Sequence, residues 1–216
     1  MPHDHHDHDD DHHHAHDHAP PQPDDKVHSY YQILGIALKE LLVEKGVVTA
    51  GEVRAAIEKR DQTTPAFGAK VVAKAWSDPI FRIRLLTNAN AAVAELGFPM
   101  TTTQLVAVEN SEDVHNVVVC TLCSCYPREL LGLPPAWYKS RAYRARIVQE
   151  PRAVLAEFGT HLTDKVEVRV HDSTADMRYL VVPQQPAGTE GLSEDELAAL
   201  ITRDSMIGVT EVNWSA

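Results

Sequence analysis

Three cysteines fall within six residues, at Cys120, Cys123 and Cys125, and the chain has no others. This cluster constrains the fold more than any other feature. In an extended segment the Cys123 and Cys125 side chains, two positions apart, would share a face, while Cys120, three positions before Cys123, would point to the other. Bringing all three sulfurs to one ion requires a tight, claw-like loop instead. Such a loop also aims the main-chain amides of Ser124 and Cys125 inward, so a site of three sulfurs and two backbone nitrogens is geometrically natural. Deprotonated amides demand a strongly Lewis-acidic ion, a trivalent transition metal rather than zinc. Thiolates beside such an ion are candidates for controlled oxidation to sulfenate and sulfinate. An odd count leaves one thiol over in any disulfide scheme. Two alternatives stay open: a zinc site completed by His115 or a partner chain, and three ordinary buried thiols.

The string Val117-Val118-Val119-Cys120-Thr121-Leu122-Cys123-Ser124-Cys125-Tyr126-Pro127 resembles the metal-claw segment of the nitrile hydratase α-subunit family, which includes the matching subunit of thiocyanate hydrolase. The likeness continues through Leu131 to Lys139, Tyr143 to Arg146, Arg178-Tyr179, Pro183-Gln184, Pro186 to Thr189 and Ser205 to Val209, and upstream through Gly68 to Trp76. The resemblance covers residues 29–209. It implies one non-corrin cobalt(III) per subunit in preference to iron(III), since Thr121 stands where iron members tend to have serine. The ligands would be the sulfurs of Cys120, Cys123 and Cys125 and the main-chain nitrogens of Ser124 and Cys125. By the same resemblance Cys123 is a sulfinate and Cys125 a sulfenate, and a sixth position is open to water or substrate.

That resemblance further implies a lyase that hydrates nitriles to amides, with Cys125, Ser124 and Cys123 as its catalytic residues and with a β-type partner whose arginines bond the oxidised sulfurs. A nitrile bound to such an ion has its carbon made electrophilic, and water or the Cys125 sulfenate oxygen then attacks it. The alternatives are thiocyanate hydrolysis to carbonyl sulfide and ammonia by a γ-type subunit, and a metal-storage or delivery protein with no catalytic role. Two departures from the family pattern bear on the choice. Arg128-Glu129 stands where many nitrile hydratases carry tryptophan and proline, and an arginine there resembles thiocyanate hydrolase. A cation suits an anionic substrate, but Arg128 pairing with Glu129 or with a partner carboxylate is an equally open reading. Thr101 to Gln104 stands where some relatives have a glutamine-glycine-glutamate run, so the bonds that support the claw must be supplied differently.

The amino terminus is the second anomaly: from His3 to His18 every residue is His or Asp except Ala15. Such a tract has nothing to bury and is expected to be disordered, either as a solvated tail with incidental metal affinity or as a metal buffer. A net charge of −11 argues against a nucleic-acid partner. A polar start, no apolar run approaching the ~20 residues of a membrane span and clustered free thiols indicate a soluble cytoplasmic chain.

Coarse patterning divides the chain into a tail and Pro-rich linker (1–28), a helical arm (29–65) and a metal-claw domain (66–216). In the arm, apolar residues at helical spacing run from Ser29 to Lys45, and Thr49 with Glu52 forms a capping box for a helix over 50–60. The stripe on the first helix would be exposed alone, so it is expected to wrap a partner, with intrachain packing as the alternative. In the domain, Lys70 to Trp76 continues a helix and Asp78-Pro79 opens one running to Leu96. Strands are expected over 104–109 and 115–120. Pro134-Pro135 and Pro151 each open a helix, and strands over 166–171 and 178–182 are expected to pair with one another. Ser193 with Glu196 caps a final helix reaching Arg203. Helices and strands in non-alternating order give an α+β class, and the resemblance refines this to a layered helix-sheet-sheet-helix core. His115, His161 and His171 read as surface or packing residues, Trp76 and Trp137 as core or interface aromatics, and Tyr126 as a structural hydrogen-bonder.

Overall fold

A computed structural model describes residues 29–214; the His/Asp-rich tail and Pro-rich linker (1–28) lie outside the described residues. The described residues fall into two compact units, divided between Glu52 and Val53. In the first, α1 (Tyr30–Glu44) starts at Ser29, whose hydroxyl accepts from the Gln32 N–H while the Gln32 side chain accepts from the Ser29 N–H. The helix ends where Gly46 adopts φ +66°, a left-handed conformation that glycine enters without a Cβ clash. None of its residues is buried, and Leu34, Leu38 and Leu41 remain exposed. The Thr49–Glu52 capping box forms as expected and starts α2 (Ala50–Gln62), inside which the boundary between the two units falls.

The second unit is an α+β core. Helix α3 (Pro65–Ser77) turns Gly68, Ala69, Val72 and Ala73 inward, and the small residue at 68 lets Leu131 and Met206 pack directly on its backbone. The expected helix over 79–96 is two helices, α4 (Pro79–Thr87) and α5 (Ala89–Glu95). Asn88 breaks it: the residue is extended at φ −148°, and its side chain accepts from the Ala91 N–H, a capping bond that competes with helix continuation. Asp78 caps α4 with two bonds, from the Ile80 and Phe81 N–H groups.

Four strands follow the expected bounds closely: β1 (Gln104–Glu109), β2 (Val114–Val119), β3 (Glu167–Asp172) and β4 (Met177–Val182). Their pairing differs from expectation. β3 pairs with β2 and β4 with β1, both in parallel, in two separate two-stranded sheets. The segments 110–113 and 173–176 contain no glycine and no Asn-Gly pair, so they lack the chemistry of a tight hairpin turn. Each instead carries the chain from one sheet to the other. β2 is buried along nearly its whole length, with Val117, Val118 and Val119 fully excluded from solvent. Burial on both faces is characteristic of parallel pairing. Helices α4 and α5 pack on β1, α11 (Arg203–Ile207) packs on β4, β2 meets β4 across the interior, and α9 (Pro151–Glu157) packs on β3. This is the expected order of helix, sheet, sheet and helix.

Between β2 and α9 lie three short helices, α6 (Arg128–Leu131), α7 (Ala136–Lys139) and α8 (Arg141–Arg146). The Ser193–Glu196 capping box opens α10 (Glu194–Leu200), which stops before Thr202. Thr202 then caps α11, an element not expected from the pattern. Trp76 anchors α3 to the end of β4 by donating to the Pro183 carbonyl at 2.8 Å. Trp137 sits edge-on to Tyr138, Tyr143 and Phe158, a packing role as expected.

Candidate metal centre

β2 delivers the claw. Its ladder with β3 ends at the Val119–Asp172 pair, and the next residue, Cys120, is buried. Asp172 then clamps the turn: its carboxylate accepts from the Thr121 N–H at 2.9 Å and from the Thr121 hydroxyl at 2.6 Å. Beyond Thr121 the chain leaves regular structure until α6. Leu122 points outward at 90% exposure, while the Cys123 N–H turns back to the Cys120 sulfur at 3.3 Å. The Cys120 and Cys123 sulfurs lie 3.5 Å apart and those of Cys123 and Cys125 3.2 Å apart, all three within 4.8 Å. The loop therefore gathers the three thiols that an extended segment would separate.

The carbonyls of the loop are held from outside. Arg144 Nη1 donates to the Cys123 carbonyl at 2.9 Å, the Tyr138 hydroxyl to that of Cys125 at 2.8 Å, and Arg178 Nε to that of Tyr126 at 3.2 Å. Tyr143 fixes the strand just before the claw by donating to the Val118 carbonyl at 2.7 Å. With carbonyls drawn outward, the N–H groups of Ser124 and Cys125 face the Cys123 sulfur. Hydrogen bonds from Cys125 and Cys120, with those N–H groups, bring the Cys123 thiol down to about 7. Burial, and then the neighbouring Cys123, push Cys125 up to about 12. Cys123 is thus the more acidic and Cys125 the less acidic of a pair that titrates together. The donor set, soft sulfurs with inward amides in a braced loop, fits a thiophilic transition metal.

None of the bracing residues was assigned a role from sequence. Asp172, Tyr138, Arg144 and Arg178 stand between 13 and 52 residues from the atoms they hold, and no spacing rule links them to the claw. The hydrogen bond expected of Tyr126 is absent: its hydroxyl is buried without a partner, and Tyr138 does that work. His115 is not brought to the claw. It sits at the opposite end of β2, with Nε2 on the Gly208 carbonyl at 2.7 Å and Nδ1 3.4 Å from the Asn110 amide. At about 3.3 Å per residue, the strand separates it from Cys120 by about 16 Å.

Nor does Arg128 pair with Glu129. The Glu129 carboxylate instead accepts from the Thr101 N–H at 3.0 Å, the Thr101 hydroxyl at 2.5 Å and the Thr102 hydroxyl at 3.1 Å. The threonine run therefore braces the exit of the claw through Glu129. Burial works against ionising Glu129, but these bonds outweigh it and hold its pKa below the usual value. Arg128 is exposed and its side chain has no hydrogen-bond or ion-pair partner among the described residues. It lines a cavity of about 360 Å³.

Fold and site together define a protein that presents a three-cysteine claw able to hold a metal ion at the end of a buried parallel strand. The family described as "Nitrile hydratase, alpha chain" matches residues 29–210. The chain is 51% identical over 183 residues to the nitrile hydratase subunit alpha of a Rhodococcus species, covering 83% of this chain and 92% of the relative. It is 43% identical over 201 residues to the thiocyanate hydrolase subunit gamma of Thiobacillus thioparus, covering 88% and 83% respectively. A solved recombinant thiocyanate hydrolase with partially modified cobalt centres superposes with a TM-score of 0.81 at 39% identity, covering 87% of this chain and 92% of that one. The chain belongs to the nitrile hydratase α-chain family, a family of enzyme subunits.

Proposed function

We propose that this chain is the metal-bearing subunit of a cobalt-type nitrile hydratase that converts nitriles to amides together with a β-type partner. One observation carries the reading: the three sulfurs within 4.8 Å of one another, on a loop that also turns two amides inward. The ligands are Cys120, Cys123 and Cys125 through sulfur and Ser124 and Cys125 through nitrogen, with Cys123 as sulfinate and Cys125 as sulfenate. When bound, cobalt(III) supplies Lewis-acid polarisation of the nitrile. Net addition of water forms a C–O bond, transfers both water protons from oxygen to the nitrile nitrogen and yields the amide. Cys125 stands where its sulfenate oxygen serves as nucleophile or as the base that activates water. Ser124 offers its hydroxyl beside it. Asp172, Tyr138 and Arg144 keep the loop from relaxing as charge moves at the sulfurs. The exposed apolar stripe of α1 fits the arm at 29–65 wrapping the partner, with 66–216 as the catalytic body.

A second reading, thiocyanate hydrolysis, is favoured by the unpaired guanidinium of Arg128 three residues past Cys125, since a free cation there suits an anion. Both readings are tested by coexpression with the β-type partner, metal analysis, mass mapping of the claw peptide, and rates on a neutral nitrile and on thiocyanate. One cobalt per claw, sulfinate at Cys123, sulfenate at Cys125 and turnover of the nitrile are expected. Zinc or three reduced thiols in the assembled complex would sink the mechanism. Thiocyanate as the better substrate would move the chain to the second reading.

A further inference from the structure

The cavity at the exit of the claw has a charge and a shape that hydration of a simple nitrile does not use. Its volume is about 360 Å³. Phe67 and Phe98 are stacked with ring centres 4.6 Å apart and planes at 19°, and with Pro99 they make an apolar wall. Two guanidiniums line the same space, Arg60 from α2 and Arg128 from α6, and neither has a side-chain partner among the described residues. The one carboxylate there, Glu129, is already engaged by Thr101 and Thr102. Two free cations against one occupied anion leave the cavity net positive.

We infer that this cavity selects nitriles that also carry a carboxylate: the apolar body lies against Phe67 and Phe98, the carboxylate sits between Arg60 and Arg128, and the nitrile end reaches the claw. The inference rests on the reading of the claw as a nitrile-hydrating centre. Planar guanidinium forks match carboxylates through paired, charge-assisted hydrogen bonds. An apolar wall in a space of this size fits an organic body, whereas thiocyanate, a three-atom anion, would leave most of it empty. Arg128 lies three positions past Cys125, with only Tyr126 and Pro127 between them, so their backbones are at most about 10 Å apart, a span that a benzene ring bearing para substituents can bridge.

The test uses the cobalt-loaded complex with its β-type partner and two substrates of the same shape, 4-cyanobenzoate and the neutral 4-cyanobenzamide. The anion is expected to have the higher kcat/KM by about tenfold or more, the scale of one charge-assisted pair. Arg60→Gln and Arg128→Gln are each expected to lower the anion-to-amide ratio by about tenfold, mainly through KM, with partial rescue by Arg128→Lys. Added salt is expected to erode the preference. Equal specificity constants, or equal losses on both substrates in the variants, would overturn the inference, as would a higher kcat/KM for thiocyanate than for 4-cyanobenzoate. Calorimetric titration of the complex with benzoate separates the two levels of argument. If benzoate binds through both arginines while neither nitrile is hydrated, the hydration reading fails and the anion cavity stands. If both nitriles are hydrated alike and benzoate does not bind, the cavity inference fails and hydration stands.

Discussion

The two ends of β2 each gather side chains able to bind metals, but in opposite states. At the carboxyl end Cys120, Cys123 and Cys125 crowd together with their loop held from outside and their sulfurs bonded only to one another and to loop N–H groups. At the amino end His115 and Asn116 are buried and bonded on every side. Asn116 donates to the Glu109 carbonyl at 2.7 Å and accepts from His171 at 2.8 Å, and its backbone N–H reaches Asn110 at 2.8 Å. Both ends bring together side chains that bind metals elsewhere. Only one leaves them with bonding capacity unspent. Chemical availability, not residue type, separates a site from a knot that ties two sheets together.

The largest expected effect breaks this comparison at the claw. Cys120→Ala or Cys125→Ala in the assembled complex should take both cobalt content and nitrile turnover to background, with circular dichroism unchanged. Substitution of His115 should leave cobalt content intact. Loss of cobalt on replacing His115 would mean the two ends are not separate. Next come the braces: Asp172→Ala and Tyr138→Phe remove bonds to the loop but no ligand. Each should reduce activity about 10–100-fold, the usual range for residues that orient ligands, and metal analysis with steady-state rates would check this. Activity within twofold of the parent would show that the loop holds its shape without them.

How far this was legible follows the same division between local and distant. The capping boxes at Ser29, Thr49 and Ser193 and the Asp78-Pro79 helix start lie where the sequence places them, because a cap satisfies N–H groups within three residues. The clustering of the three cysteines was legible because all of them sit in one segment. The claw's braces were not, because Asp172 meets Thr121 only after β3 has paired with β2. Strand pairing failed for the same reason: β3 and β4 are near neighbours in sequence, yet each finds its partner across more than 50 positions of chain. Asn88 and Thr202 show the limit of pattern reading inside helices, since one polar cap overrides an apolar periodicity that continues through it.

At the knotted end a glycine carries the close approach. Gly208 ends α11 at φ +84°, and a Cβ there would meet the Asn116 backbone, with its carbonyl carbon and the Val117 Cα at 3.0 Å. Gly208→Ala combines a left-handed conformation with overpacking against β2. It should lower unfolding stability by about 2–4 kcal/mol, read by urea denaturation of the purified complex. A loss below about 0.5 kcal/mol would show that α11 shifts away freely, so that the knot is not rigid.

The smallest effect concerns pH. Burial holds the His115 pKa below its ordinary 6.5, opposed by the Gly208 carbonyl and the charge of Glu211. The tautomer is set by its partners: Nε2–H donates to Gly208, so Nδ1 is the acceptor facing the Asn110 amide. Protonation would place an N–H of the ring against that amide's own N–H groups. Below pH 6.5 the unfolded chain therefore binds a proton that the folded chain refuses, and stability falls with pH until the folded pKa is passed. Above 6.5 the contribution is fully present. His115→Gln, which keeps a donor and an acceptor but does not titrate, should flatten the stability slope between pH 6.5 and the folded pKa while leaving the claw's metal content alone. An unchanged slope would place the acid sensitivity elsewhere. A changed metal content would couple the two ends of β2 that the structure keeps apart.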